Sequence, residues 1–170
     1  MADVKTVMFE SDGTIPNNPV LPVLVYQGAF EEHPQEIEDA FNRNGWTGSW
    51  TGDVFDYHHY HTNTHEAVGV VSGSADLQLG GKQGETYRVK AGDVVVLPAG
   101  TGHKKLQNSD DFQVCGAYPE GRSPNLKTGN PAEHNEDLQE IRSAKQPAPS
   151  SDPVFGEDGL TVLLYFFINL

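Results

Sequence analysis

Tyr57-His58-His59-Tyr60-His61-Thr62-Asn63-Thr64-His65-Glu66-Ala67-Val68-Gly69-Val70-Val71-Ser72-Gly73 holds four of the chain's seven histidines. Side chains at i and i+2 of a strand share a face. A strand over Phe55–His61 therefore aims His59 and His61 the same way, with Phe55 and Tyr57 behind them. Thr62 to His65 contains the turn. A second strand over Glu66–Ser72 puts Glu66, Val68 and Val70 on one face. The companions are apolar, so this reads as an inward face, on which Glu66 meets His59 and His61. A carboxylate and two imidazoles in an apolar cavity are costly unless something satisfies them. One divalent transition metal does so, and imidazole with carboxylate suits Mn, Fe, Ni, Cu or Zn.

A second segment supplies a partner: Gly92-Asp-Val-Val-Val-Leu-Pro98-Ala-Gly100-Thr-Gly102-His103. Here a strand runs into a Pro/Gly turn, and His103 stands just past it, able to re-enter beside the first hairpin. Between and around these segments, short apolar stretches alternate with glycines. Strands are expected at Val23–Tyr26, Phe55–His61, Glu66–Ser72, Ala75–Leu79, Glu85–Val89, Asp93–Leu97 and Phe112–Tyr118, with turns at Gly80-Gly81 and Ala91-Gly92. That spacing predicts an all-β sandwich or barrel. Two helices flank it. Pro34 to Asn44 has Ile37, Ala40 and Phe41 at helical spacing, and Gly45 as a stop. Asn130-Pro131-Ala132-Glu133 offers a cap, a proline at the first turn and an acid, opening a helix to about Lys145. Residues 1–24 read as extended chain crossing a surface. Pro147 to Pro153 reads as a linker, and Thr161–Ile168 as a closing strand apolar on both faces.

Composition narrows the function classes. The 170 residues suit one domain, with a barrel core over about 46–120, an N-terminal extension 1–45, and a C-terminal helix and strand over 130–170 packing on it. Eleven Lys+Arg against 24 Asp+Glu give a net charge of -13, which argues against nucleic acid and anionic membranes as partners. The apolar terminal stretch is about ten residues, short of the roughly 20 needed to span a bilayer. The acidic start lacks a secretory pattern. With the lone Cys115, a cytoplasmic location is expected.

The two histidine segments resemble the paired signature motifs of the cupin superfamily, the RmlC-like jelly rolls. His59, His61, Glu66 and Gly73 meet the first motif. Gly92, Pro98, Gly100 and His103 meet the second. The spacing from Gly52 to His59 is one residue longer than usual, and Gln107 stands where an Asn is common. A closer resemblance, carried by Asp12-Gly-Thr-Ile-Pro-Asn, Arg43-Asn-Gly-Trp46, His58-His-Tyr-His61, Gly116-Ala-Tyr-Pro119 and Asp152-Pro-Val-Phe-Gly156, is to the YjlB-like small single-domain cupins. The resemblance implies a double-stranded β-helix, or jelly-roll barrel, and His59, His61, Glu66 and His103 as metal ligands. It also implies a metal-dependent enzyme acting on a small oxygen-rich organic molecule, as an oxidoreductase of dioxygenase type or as a decarboxylase or isomerase. The alternatives are a non-catalytic small-molecule or metal-binding module, and a metal-free isomerase with a histidine base. A homodimer is the expected assembly.

The remaining residues have plainer readings. Tyr57 is the candidate acid or base, and Phe55, Val68 and Val70 the candidate pocket lining. His65, beside Glu66, is a candidate support or alternative ligand. His58 is out of phase and faces away from the cavity. His33 and His134 lie beside helix starts and face solvent. Cys115 reads as a buried inert thiol, and Lys104 and Lys105 as a solvated basic pair, with attraction of an anionic substrate the second reading. Trp46 and Trp50 pack in the core, either one able to wall the pocket.

Overall fold

The computed structural model describes residues 3–143 and 149–166. Its strands are β1 (Asp3–Val7), β2 (Val23–Gln27), β3 (Trp46–Gly52), β4 (Glu66–Ser72), β5 (Ser74–Leu79), β6 (Glu85–Lys90), β7 (Val94–Leu97), β8 (His103–Asn108) and β9 (Gln113–Pro119). Two helices, α1 (Ile37–Arg43) and α2 (His134–Arg142), each follow a 3-10 turn, Pro34–Glu36 and Pro131–Glu133. The strands form two antiparallel sheets, one ordered β1-β2-β7-β4-β9-β3 and the other β6-β5-β8. This is the all-β barrel with two flanking helices that the pattern predicts.

The inner strands of the larger sheet are buried on both faces, which explains why Val23-Leu-Val-Tyr26 and Val94-Val-Val-Leu97 are apolar without alternation. Val23, Val25, Val68, Val70, Val95, Leu97 and Val114 point inward and meet Leu77, Leu79 and Val89 of the smaller sheet. Leu24, Tyr26, Ala67, Val94, Val96, Cys115 and Ala117 point outward and meet Ile37 and Phe41 of α1. Helix and sheet touch closely enough that a Cβ on Gly69 would lie 2.5 Å from Ile37 Cγ2.

Cys115 sits in this outer layer, fully buried, with Glu38 Oε2 at 3.8 Å from its Sγ. Burial, and then the Glu38 charge, push the thiol up to about 12. A thiolate is the reactive form. Aromatic disulfide reagents at pH 8 should therefore find no thiol in the folded protein and one in denaturant. One equivalent reacting in the native state would contradict this burial.

Several elements depart from expectation. Phe55–His61 is not a strand; only His59 and Tyr60 form isolated bridges, to His103 and Lys127. Asp3–Val7 is an edge strand paired along β2, so the sheet recruits chain from ahead of residue 46. Trp46–Gly52 and His103–Asn108 are strands that the pattern does not reveal. The second helix does begin at Asn130, whose side chain accepts from the Ala132 N–H. It is described as far as Arg142, and its expected end at Lys145 lies outside the described residues. The expected closing strand is corrected outright. Val162–Phe166 is a π-helical turn, and Asn169–Leu170 and the two residues before them lie outside the described residues. A run apolar on every side carries no period, so helix and strand look alike in sequence.

Candidate metal centre and cavity

The centre forms where the two sheets meet. Glu66 opens β4 in the larger sheet, paired with Leu97 of β7. His103 opens β8 in the smaller sheet, paired with Leu79 of β5. The His59 segment ties the two together: His59 N–H donates to His103 O at 3.2 Å, and His103 N–H donates back at 3.0 Å. Gly100 N–H then donates to His61 O at 2.7 Å.

Ligand atoms of His61, Glu66 and His103 lie within 4.8 Å of one another. His61 Nε2 is 3.5 Å from Glu66 Oε2, and His103 Nε2 is 3.5 Å from Glu66 Oε1. His59 stands outside that tight group but against it. Its ring centroid is 3.9 Å from that of His103, and it too is buried.

The tautomers follow from the outer nitrogens. His59 Nδ1 is 3.0 Å from Tyr57 O, His103 Nδ1 is 3.0 Å from Thr101 O, and His61 Nδ1 contacts Asn125 O. A carbonyl only accepts, so each Nδ1 carries the proton. In the neutral rings, each Nε2 is then a lone pair directed into the cavity. Two of them face a carboxylate, which also only accepts. His103 Nε2 is buried and makes no hydrogen bond among the described residues. Such a donor set suits a cation at its middle.

Without a metal, a proton can take the same central place. Burial works against the charged form of Glu66, but contacts with His103 and His61 outweigh it and hold the carboxyl far below its usual range. Burial works against charge on His61 as well, and Glu66 reverses that and raises it. His59 is pushed down to about 3, first by burial and then by the neighbouring His103. It is neutral at physiological pH, as a ligand must be.

These residues line a cavity of about 390 Å³, whose walls include Trp50, Phe55, Val68, Tyr118, Asn125 and Leu126. Two of the three expected pocket residues, Phe55 and Val68, are there. Val70 is not: it is one strand repeat deeper and fully buried in the barrel core. Tyr57 needs a correction too. It lies outside the cavity lining, exposed, with its ring stacked on Phe55 at 4.9 Å. The strand phase used to aim it inward fails because residues 53–58 are not a strand.

His65 is placed on the opposite face of the sheet from Glu66, as strand alternation requires. Its Nδ1 accepts from the Ala99 N–H at 2.9 Å, and its ring meets the edge of Tyr165. Burial lowers it to about 4. It braces the outer layer and is not part of the ligand group. His58 is half-buried and off the cavity, and His134 is partly buried, within 3.2 Å of Ser11 Oγ. Lys105 is not a free cation: its Nζ is 2.5 Å from Asp53 Oδ2.

Sequence reasoning misses Tyr118 and Asn125. Trp50 Nε1–H donates to Tyr118 Oη at 2.8 Å, which leaves the phenol's own proton to donate elsewhere. Burial first, and then Glu66, raise its pKa, so the phenol stays protonated. The signal was available in the parity of β9, where Val114, Gly116 and Tyr118 share the inward face. Gly116 leaves room for the indole; a Cβ there would lie 2.3 Å from Trp50 Cε2.

Residues 50–114 match a family model described as a cupin domain. The chain is 46% identical over 155 residues to the uncharacterized protein YjlB of Bacillus subtilis, covering 91% of this chain and 92% of YjlB. It is 34% identical over 87 residues to quercetin 2,3-dioxygenase of Bacillus subtilis, which is 50% of this chain and 25% of that enzyme. Among solved structures it is similar to acireductone dioxygenase from Bacillus anthracis, with a TM-score of 0.36 and 25% identity over 54% of this chain and 62% of that one.

Proposed function

Because this chain belongs to the cupin family, we propose that it is a metal-dependent enzyme acting on a small oxygen-rich organic molecule held in the barrel. The observation that carries the reading is the buried His61–Glu66–His103 group, whose ligand atoms converge within 4.8 Å of one another. His59 contributes a further Nε2 at the same cavity. Three imidazoles and one carboxylate leave open positions on an octahedral ion, as catalysis requires. A bound divalent metal supplies polarisation of a substrate oxygen and, for Mn, Fe, Ni or Cu but not Zn, a redox partner for O2.

The chain's own residues do the rest. The Nδ1 contacts to Tyr57, Thr101 and Asn125 fix the three ring orientations. Tyr118 holds a proton at its Oη beside Glu66 and is the hydroxyl placed to donate to a bound oxygen, the role expected of Tyr57. The apolar walls offer water few hydrogen-bond partners. Cytoplasmic residence is part of the same reading, supported by a lone buried thiol. No helix among the described residues is long and apolar enough to cross a membrane.

Untagged protein purified without added metal should carry close to one equivalent of a transition metal by elemental analysis. Its turnover, screened with an O2 electrode against small acids, phenols and enols, should vanish in chelator and return with metal. Activity that survives chelation at sub-stoichiometric metal would sink the metal reading. Full metal with no turnover across the screen would favour a binding module.

A further inference from the structure

The walls of the cavity specify more than its floor does. Apart from the histidines, they carry no cationic side chain: among the described residues neither Lys nor Arg lines the cavity. Lys105 is tied to Asp53, and Asp53 itself lines the cavity with the wrong sign for an anion. A small dianion would lose its hydration there with only the metal and the Tyr118 hydroxyl to replace it, a costly exchange.

Apolar surface dominates instead. Trp50 and Tyr118 form one wall, joined by their hydrogen bond. Val54 and Val68 lie with them. Phe55 and Leu126 line the cavity yet remain about half exposed, at 48% and 51%, so they form its rim. Phe55 is braced from outside by the stacked Tyr57. Exposed aromatic and aliphatic side chains bordering a cavity mark a ligand surface. The volume of about 390 Å³ corresponds to roughly a dozen waters at about 30 Å³ each. A two-carbon acid would leave most of it wet.

We propose that the site takes a flat, apolar-bodied aromatic molecule bearing two adjacent oxygen donors. The oxygens meet the His61–Glu66–His103 group, and the rings lie between the Trp50–Tyr118 wall and the Phe55–Leu126 rim. This rests on the metal reading above and adds the substrate class to it. The body is uncharged, since the walls offer no counter-ion, and negative charge is confined to the oxygens at the floor.

The test uses calorimetry on the full chain, with metal content measured first, and three probes. They are 2,3-dihydroxynaphthalene, oxalate, and 2-naphthol, which has the rings but a single oxygen. On metal-loaded protein, the naphthalene diol should bind at least thirtyfold more tightly than oxalate and quench Trp50 fluorescence. Phe55→Ala, at an exposed rim position, should weaken the diol about tenfold and leave oxalate affinity and metal content unchanged. Oxalate binding as tightly as the diol, or a diol indifferent to Phe55→Ala, would overturn the proposal. If the protein takes up no metal, the metal reading fails separately. 2-Naphthol binding that Phe55→Ala weakens would still support the aromatic walls, and no naphthol binding would overturn them.

Discussion

Replacing Glu66 by glutamine should strip the metal from the protein and leave the fold intact. The carboxylate is the one negative charge in the ligand group, 3.5 Å from both His61 Nε2 and His103 Nε2. Glutamine keeps its shape and removes the charge. In addition, one terminal atom becomes an NH2 donor, which can give a hydrogen bond to whichever imidazole lone pair it faces. In the metal-free native protein Glu66 raises the His61 pKa and favours a proton between them, so glutamine exchanges an ionic contact for a neutral hydrogen bond. Affinity for the metal should fall by about a hundredfold or more, which is ~2.8 kcal/mol. The melting temperature of the metal-free protein should stay level or fall by a few degrees, because the ionic contact with His61 is lost while the shape is kept. His103→Ala should lose the metal as completely, because its Nε2 is the buried atom with no other partner. Elemental analysis after dialysis, beside a melt of each metal-free protein, separates retention from folding. Equal retention by Glu66→Gln and the native chain would show that the carboxylate is not a ligand.

The parts of this site that sequence reveals are those governed by a period. β4 runs from Glu66 to Ser72, as its pattern predicts. Alternation along it sends Glu66 and Val68 to the cavity and His65 and Ala67 to the outer layer. His59, His61 and His103 are legible through motif spacing, because a cavity ringed by two sheets needs ligands from both. What period cannot reach was misread. Tyr57 was aimed inward by extending a strand into residues that bend instead. Trp46–Gly52 hides its strand behind two glycines and a serine, residues poor in strand propensity, although Trp50 becomes a cavity wall. His103–Asn108 is half-exposed and polar, so it resembles a loop until its pairing with β5 is seen. Asn125 contributes a backbone carbonyl to His61, and a backbone contact leaves no residue-type signature at all.

Asp152→Ala should cost the protein more stability than any single change at the cavity. Asp152 is fully buried, and its carboxylate is a hub. Oδ1 accepts from the N–H groups of Val154 and Phe155, at 2.8 and 2.9 Å. Oδ2 accepts from the Thr161 N–H at 3.1 Å, from Thr161 Oγ1 at 2.8 Å, and from the Tyr26 hydroxyl. Tyr26 belongs to the outward face of β2, so this side chain ties the C-terminal segment to the sheet, beside the contacts of Trp46 with Ser151 O and Asn44 with Pro153 O. Removing it leaves buried donors unmatched, each costing about 1–3 kcal/mol in isolation. Some reach water once the segment loosens, so the losses do not add. A net loss of about 4 kcal/mol is expected, a large share of the ~5–15 kcal/mol typical of a domain. At about 2–4 °C per kcal/mol for a chain of this size, the melting temperature should drop by roughly 12 °C. Asp152→Asn should fall between, because its NH2 group opposes the N–H and hydroxyl donors it meets. The hub lies on the far side of the sheet from Glu66. Both variants should therefore retain metal like the native chain at temperatures where they remain folded. Urea melts paired with elemental analysis would check both halves. A loss under about 1 kcal/mol for Asp152→Ala would mean that the segment is held by its other ties, Tyr165 to Pro22 O at 2.6 Å, Trp46 to Ser151 O and Asn44 to Pro153 O, rather than by the carboxylate.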